Sequence, residues 1–151
     1  MKARTAIVCG ALVGAAALAA CGGGNSTVPA QPVVQCTYPT GTQVALAYPA
    51  PGATAVPDNP GQIVIAASPA LPNTWQVALA YNGFIFYESV VNPIASSAVP
   101  TPYATPAFAG PTYESSGLGG SLPAATTVTV LLNNEASSCN SYPSLGTFTT
   151  Q

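Results

Sequence analysis

The stretch "TWQVALAYNGFIFYE", residues 74–88, contains the clearest structural signal in the chain. Apolar side chains recur at every second position from Trp75 to Tyr81, which is the period of a half-buried strand. Asn82-Gly83 follows at once, and both residues accept the positive φ angles that a tight hairpin turn requires. We therefore predict two antiparallel strands, at 74–81 and 84–88, joined by a two-residue turn.

Short apolar segments continue outward from this hairpin in both directions. The chain contains 16 prolines and 14 glycines, and no long helical period follows residue 21. The further predicted strands are residues 43–48, 62–68, 113–115, 126–133 and 146–150. Residues 62–68 are apolar on both faces, which predicts a central strand, whereas the proline-rich segment 89–111 predicts an irregular excursion. About seven short strands separated by turns are typical of an all-β, antiparallel β-sandwich.

Several segments resemble bacterial Ig-like domains. "PAPGATAVP" at 49–57, followed by "NPGQIVI" at 59–65, resembles the turn that leads from the first to the second strand of that family. "LPAATTVTV" at 122–130 and "FTT" at 148–150 resemble its later segments, although Ala125 stands where the family has glycine. The resemblance covers residues 43–151. It implies an Ig-like β-sandwich, which we place at residues 36–151.

The amino terminus has the pattern of an export signal. Lys2 and Arg4 precede an apolar run from 6 to 20, which is shorter than the about 20 residues of a membrane-spanning helix. "LAAC" at 18–21 resembles the lipobox of bacterial lipoproteins. That resemblance implies cleavage of a signal peptide, residues 1–20, and attachment of diacylglycerol and a further acyl chain such as palmitate at Cys21. The alternative is an ordinary signal peptide, cut after Ala20, that leaves Cys21 free.

Residues 21–35 read as the lipidated cysteine and a flexible tether. "GGGNSTVPAQP" at 22–32 has glycine, serine and proline and almost nothing to bury. Two or more acyl chains hold a protein stably to a bilayer. We therefore expect a domain anchored to a membrane of the bacterial cell envelope, facing the periplasm or the exterior. In the lipoprotein family, an aspartate directly after the lipidated cysteine is associated with retention in the inner membrane. This chain has Gly22 at that position, which favours the outer membrane.

Composition excludes several classes of function. Both cationic residues, Lys2 and Arg4, lie in the signal peptide, and the chain has no histidine. The mature protein therefore lacks the cations that neutralise nucleic-acid phosphates, and it lacks the base of a Ser-His-Asp triad. We expect no nucleic-acid partner, no cofactor and no metal. A calcium site at Asp58 and Asn59 would have too few clustered oxygens to be more than weak.

Two cysteines remain in the predicted domain, Cys36 and Cys139. In an exported protein an even pair indicates a disulfide. Two free thiols, a link to another chain and a partial metal site are the alternatives. If the strands run alternately up and down, both cysteines lie at the tethered end. The turn at 49–61 and the carboxyl terminus then lie at the far end.

The sequence names no specific activity, so we consider two classes of function. The first is a non-catalytic structural or interaction module of the envelope with a protein or glycan partner. Tyr103 and Phe108 in "PTPYATPAF" and Tyr87 in "FIFYE" are its candidate surface, and burial against the core is their alternative role. The second is a carboxylate-dependent, glycan-active enzyme that uses Glu88 and Glu114, although their spacing does not favour it.

Overall fold

The structure, a computed structural model, describes residues 30–151. The predicted signal peptide, Cys21 and the first part of the tether lie outside the described residues. The described chain forms eight strands and one short 3-10 helix. The strands are β1 (Gln43–Tyr48), β2 (Gln62–Ser68), β3 (Trp75–Tyr81), β4 (Phe84–Val90), β5 (Asn92–Ile94), β6 (Thr112–Gly117), β7 (Thr127–Asn134) and β8 (Ser144–Thr149), and the 3-10 helix is Ser96–Ala98. Between residues 30 and 151, no helix is long and apolar enough to cross a membrane.

The strands form two antiparallel four-stranded sheets that pack together as a β-sandwich. One sheet has the order β1-β2-β6-β5 and the other has the order β4-β3-β7-β8. In an Ig-like fold the strands are given letters in chain order. If β4 is strand C′ and the other seven strands are A to G, the two sheets have the Ig-like orders A-B-E-D and C′-C-F-G. The predicted all-β, antiparallel Ig-like β-sandwich is confirmed, with eight strands in place of about seven.

The core between the sheets is built from alternate residues of the strands. In β7 every second side chain is fully buried, as the period of two predicts. These side chains are Val128, Val130 and Leu132. At the start of β3, Trp75 is also buried, and its ring centroid lies 5.2 Å from that of Tyr38. Burial in this apolar environment raises the pKa of Tyr38 to about 12, because desolvation disfavours the phenolate.

A second hydrophobic cluster, the outer cluster, lies on the outer face of the β1-β2-β6-β5 sheet. Its buried members are Ala47, Val64, Ala66, Val99 and Tyr113. The proline-rich segment between β5 and β6 folds back over it, and the Ala104 amide donates a hydrogen bond to the Ala47 carbonyl at 2.9 Å. Strand β2 is therefore buried on both faces and lies between β1 and β6. This explains its apolar sequence and confirms its predicted central position.

The structure corrects several predicted strand boundaries. β4 extends to Val90, the strand predicted at 113–115 is the longer β6, and β8 spans 144–149 in place of 146–150. β3 and β7 each begin one residue later than predicted, and β7 ends at Asn134. The segment 89–111 is not wholly irregular, since it contains β5. Pro93 concealed this strand, because proline in a sheet is confined to edges, and β5 is a three-residue edge strand.

Three strand pairings contain a register shift, and two of these shifts lie beside tyrosines of the predicted strands. A shift after Leu79 leaves Phe86 of β4 as an extra residue, which is a β-bulge. Tyr81, predicted to share a face with Trp75, is half-buried, and its ring packs edge-on against Phe86 with centroids 4.9 Å apart. A second shift in β1 allows Tyr48 to pack against the outer cluster.

A disulfide fixes the point at which the chain joins the fold. Cys36 and Cys139 form the predicted bond, with their Cα atoms 5.1 Å apart. The Val34 amide donates to Asn140 Oδ1 at 2.7 Å, and the Asn140 amide donates to the Val34 carbonyl at 2.8 Å. The chain is thus attached to the loop between β7 and β8 from about Pro32 onward, where Asn140 Nδ2 donates to the Pro32 carbonyl at 3.1 Å.

The far end of β8 carries the turn at 49–61 and the carboxyl terminus. The Val56 amide donates to the Thr149 carbonyl at 3.0 Å, and the Gln151 amide donates to the Val56 carbonyl at 2.8 Å. The disulfide lies at one end of the sandwich, and the turn at 49–61 and the carboxyl terminus lie at the other. This is the arrangement predicted for strands that run alternately up and down. Both hydrophobic clusters lie within residues 36–148. Residues Pro32–Gln151 form one compact unit that holds both clusters, which indicates that this segment can fold on its own.

Candidate functional site

Two of the three aromatic residues predicted as an interaction surface lie in the segment between β5 and β6, residues 95–111, which we call the cover over the outer cluster. Phe108 is half-buried and packs against this cluster. Tyr103 is 37 % exposed, and its ring stands nearly perpendicular to that of Tyr113 with centroids 6.2 Å apart. Both side chains therefore help to close the outer face of the first sheet, while Tyr103 keeps an exposed edge.

Tyr87, the third predicted residue, belongs to the other sheet. Its hydroxyl donates a hydrogen bond to the Gly117 carbonyl in β6 and lies 3.3 Å from Ser116 Oγ. These bonds connect β4 to β6 across the side of the sandwich. The structure thus places Tyr87 apart from Tyr103 and Phe108, and the three residues do not form a single surface.

The two glutamates considered as a catalytic pair occupy different environments. Glu88 is exposed on β4, where it accepts a hydrogen bond from Asn133 Nδ2 at 3.4 Å. Glu114 in β6 is 2 % exposed and accepts a hydrogen bond from the Leu71 amide at 2.9 Å. Burial raises the pKa of Glu114, and the bond from Leu71 opposes part of that rise. The two carboxylates belong to different sheets.

The turn considered as a weak calcium site is part of the hydrogen-bonded framework. The Asp58 carbonyl accepts a hydrogen bond from the Leu122 amide at 2.6 Å, which joins this turn to the segment before β7. Asp58 and Asn59 both stay exposed. No group of three or more His, Cys, Asp or Glu side chains in residues 30–151 is placed to hold a metal ion.

A groove of about 520 Å³ lies on the outer face of the β4-β3-β7-β8 sheet; we call it the outer-face groove. Its floor follows from the pleat of β7, where Val128 and Val130 point into the core and Thr129 therefore points outward. Thr129 pairs with Ala80 of β3, and the small alanine side chain leaves space above the sheet at this point. Ile85 of β4 and the turn residue Asn82 form one wall.

The other wall of the outer-face groove comes from the loop between β7 and β8. Cys139 and Tyr142 line this side, and Leu131 lies beneath them. The disulfide to Cys36 holds Cys139 in place, so the wall is covalently attached to the start of the domain. Tyr142 also packs against the main core. The groove is thus bounded by a fixed loop and a tight hairpin turn, which together favour a preformed shape.

The lining of the outer-face groove is uncharged. It consists of aliphatic, hydroxyl, amide and phenol groups and the disulfide-bonded Cys139, with no Asp, Glu, Lys or Arg side chain. Concave sites of this volume, mostly apolar with a few polar groups, are typical of small-molecule binding sites. The chemistry available in the groove is therefore apolar contact and neutral hydrogen bonding.

Sequence reasoning did not identify this groove. Its lining comes from the β3–β4 hairpin and from β7 with the loop that follows it, and the hairpin precedes the other two by about 40 residues. The one local signal was Asn82-Gly83, and it was used only to predict the turn. The alternation in β7 predicts that Thr129 faces outward, but alternation does not reveal what lies beside it.

Comparison with known protein families, with curated proteins and with solved structures finds no match to this chain.

Proposed function

We propose that this protein is a lipid-anchored, non-catalytic protein of the bacterial cell envelope whose Ig-like domain is a structural or interaction module. The lipid is attached at Cys21, and the part of the tether that precedes Pro32, where the chain becomes bound to the domain, carries the domain away from the bilayer. Its partner is an envelope protein or glycan. The outer membrane is the favoured location, with the domain facing the periplasm or the exterior.

The observation that carries this proposal is the disulfide between Cys36 and Cys139. Disulfides persist in exported proteins and are rare in the cytosol, which agrees with the export signal in residues 1–20. The bond lies where the tether joins the domain. A fixed junction at this position supports a role in which the domain is held from its amino-terminal side.

The inventory of side chains supports a non-catalytic role. After residue 20 the chain has no Lys, Arg or His, so any catalysis would depend on carboxylates, hydroxyls and phenols. The alternative, a carboxylate-dependent glycan-active enzyme, requires two carboxyl groups that flank one bond at roughly 5 to 10 Å from each other. Glu88 is exposed on one sheet and Glu114 is buried in the other, which does not favour such a pair.

Metabolic labelling with an alkynyl fatty acid in a bacterial host tests the anchor. We expect the wild-type chain to carry the label and to sediment with membranes, and Cys21→Ser to lose the label. Thr27→Ala, a change in the tether, is the matched control and should be labelled like the wild type. An unlabelled wild-type protein in the soluble fraction would contradict the proposal, as would glycan hydrolysis that is lost in Glu88→Gln.

A further inference from the structure

We propose that the outer-face groove is a binding site for an uncharged glycan chain. This inference rests on the proposed function, since it specifies the partner of the interaction module. It also moves the binding surface from the aromatic residues 87, 103 and 108 to the groove bounded by Asn82, Thr129 and Tyr142. Three properties of the groove lead to this ligand class.

The first property is that the two central strands beneath the groove, β3 and β7, are paired on both sides. β3 is paired with β4 on one side and β7 on the other, and β7 is paired with β3 and β8. A peptide that binds by strand addition needs an open edge with unpaired amides and carbonyls. A ligand in the groove meets side chains instead, which favours a molecule whose own hydroxyl groups form the hydrogen bonds.

The second property is the absence of charge. No charged side chain lines the groove, and the described chain has no cationic side chain at all. A phosphate, sulfate or carboxylate bound there would lose its hydration without a compensating cation, which is costly. The absence of a compensating cation therefore favours a neutral ligand over acidic polysaccharides and nucleotides.

The third property is the mixture of surfaces that the groove presents. Ile85 and Leu131 offer apolar contacts, Asn82 an amide, Thr129 a hydroxyl, and Tyr142 a ring with a phenol group. A neutral sugar ring has the same two-sided character, with C–H groups on its faces and hydroxyls around its rim. No side-chain nitrogen or oxygen of the described residues is buried without a partner. Each polar side-chain group of the groove is therefore either hydrogen-bonded within the fold or accessible to solvent. A ligand can reach the groups that are accessible to solvent.

The direct test screens fluorescently labelled residues 30–151 against an array that contains neutral and acidic oligosaccharides and a set of unstructured peptides. We expect binding to neutral oligosaccharides, with an affinity that changes less than twofold between 50 and 500 mM salt. In NMR titrations with the strongest neutral oligosaccharide, we expect the amide signals of Ala80, Asn82 and Thr129 to shift most.

Matched variants locate the site. Thr129→Val keeps the shape of the side chain and removes its hydroxyl, and we expect it to weaken binding about three- to tenfold. Thr147→Val makes the same change at the exposed cross-strand neighbour of Thr129 on β8, outside the groove lining, and should leave the affinity within twofold. Unchanged melting temperatures of both variants show that the sandwich is intact.

The proposal is overturned if no neutral oligosaccharide binds, if acidic glycans or peptides bind in preference, or if the shifted signals cluster away from the groove. Acyl labelling at Cys21 separates these failures from failure of the proposed function. A labelled, membrane-bound protein that binds no neutral glycan would remove only the groove proposal, whereas an unlabelled protein would remove the anchor.

Discussion

The side-chain carboxylate of Glu114 accepts a hydrogen bond from the backbone amide of Leu71 at 2.9 Å, inside a domain that contains no cationic side chain. This bond attaches the β2–β3 connection to β6. Glu114 is buried, so the charged form of its carboxyl group has lost its hydration and gained only one neutral donor. The pKa of Glu114 is raised as a result.

We predict from this that the domain becomes less stable as the pH rises. A folded-state pKa above the ordinary value of 4.5 means that the native state binds the proton more tightly than the unfolded state. The free energy of unfolding therefore decreases as the pH rises from about 4.5 toward the raised pKa, and it levels off above it. Melting temperatures measured between pH 4 and pH 8 should be highest at the acidic end, fall as the pH rises, and then reach a plateau.

Glu114→Gln tests the same relationship by mutation. The glutamine keeps an oxygen for the Leu71 amide and cannot ionise, so we expect a higher melting temperature at pH 7 and a weaker pH dependence. Glu88→Gln, on an exposed position of β4, is the control and should retain the wild-type profile. If the melting temperature of Glu114→Gln depends on pH as strongly as that of the wild type, ionisation of Glu114 does not cause the pH dependence.

The disulfide is predicted to supply a large part of the stability. It links residues that are 103 positions apart, and closing a loop of this size restricts the unfolded chain strongly. We expect the double variant Cys36→Ala/Cys139→Ala to lose about 2–5 kcal/mol in free energy of unfolding, measured by urea denaturation. Reducing agent should destabilise the wild type similarly and leave the double variant unchanged. Equal stability with and without reducing agent would contradict this role.

Ala125 carries a local conformational cost that glycine would relieve. Its φ angle is 48°, in the left-handed region that L-residues with a Cβ disfavour. We expect Ala125→Gly to raise the free energy of unfolding by about 0.5–1 kcal/mol. Ala124→Gly is the matched control, because that exposed neighbour lacks a positive φ angle, and it should lower stability by about 0.5 kcal/mol. If Ala125→Gly lowers the free energy of unfolding, the positive φ angle of Ala125 does not carry the conformational cost described here.

The cover over the outer cluster is predicted to be a structural element. Phe108 is half-buried against this cluster, so Phe108→Ala should lower the free energy of unfolding by about 1–3 kcal/mol, less than for a fully buried phenylalanine. Phe84→Ala removes the same side chain from a position that is 75 % exposed and should change stability by no more than about 0.5 kcal/mol. Equal effects of the two variants would mean that the cover does not pack as described.

Local features of the sequence predicted the fold class and the central hairpin. Asn82 and Gly83 have φ angles of 50° and 79°, as the Asn-Gly dipeptide indicated. Such features depend on one or two residues and their neighbours, so a single sequence contains enough information to recognise them.

The sequence alone does not predict features that depend on contacts between residues far apart in the chain. The bulge at Phe86 results from how β4 pairs with β3, and no local residue signals it. The cover over the outer cluster brings Phe108 against residues of β1 and β2 that precede it by more than 40 positions. The outer-face groove likewise depends on where the disulfide places the loop that carries Cys139.

An intact-mass measurement of the mature protein, extracted in detergent from a bacterial host, decides whether Cys21 carries a lipid. We expect a chain that begins at Cys21, is heavier than its sequence by a diacylglycerol and an additional acyl group, and is lighter by the two hydrogens of the Cys36–Cys139 disulfide. A mass that matches the unmodified chain from Cys21, or the uncleaved chain of 151 residues, would contradict the lipid anchor.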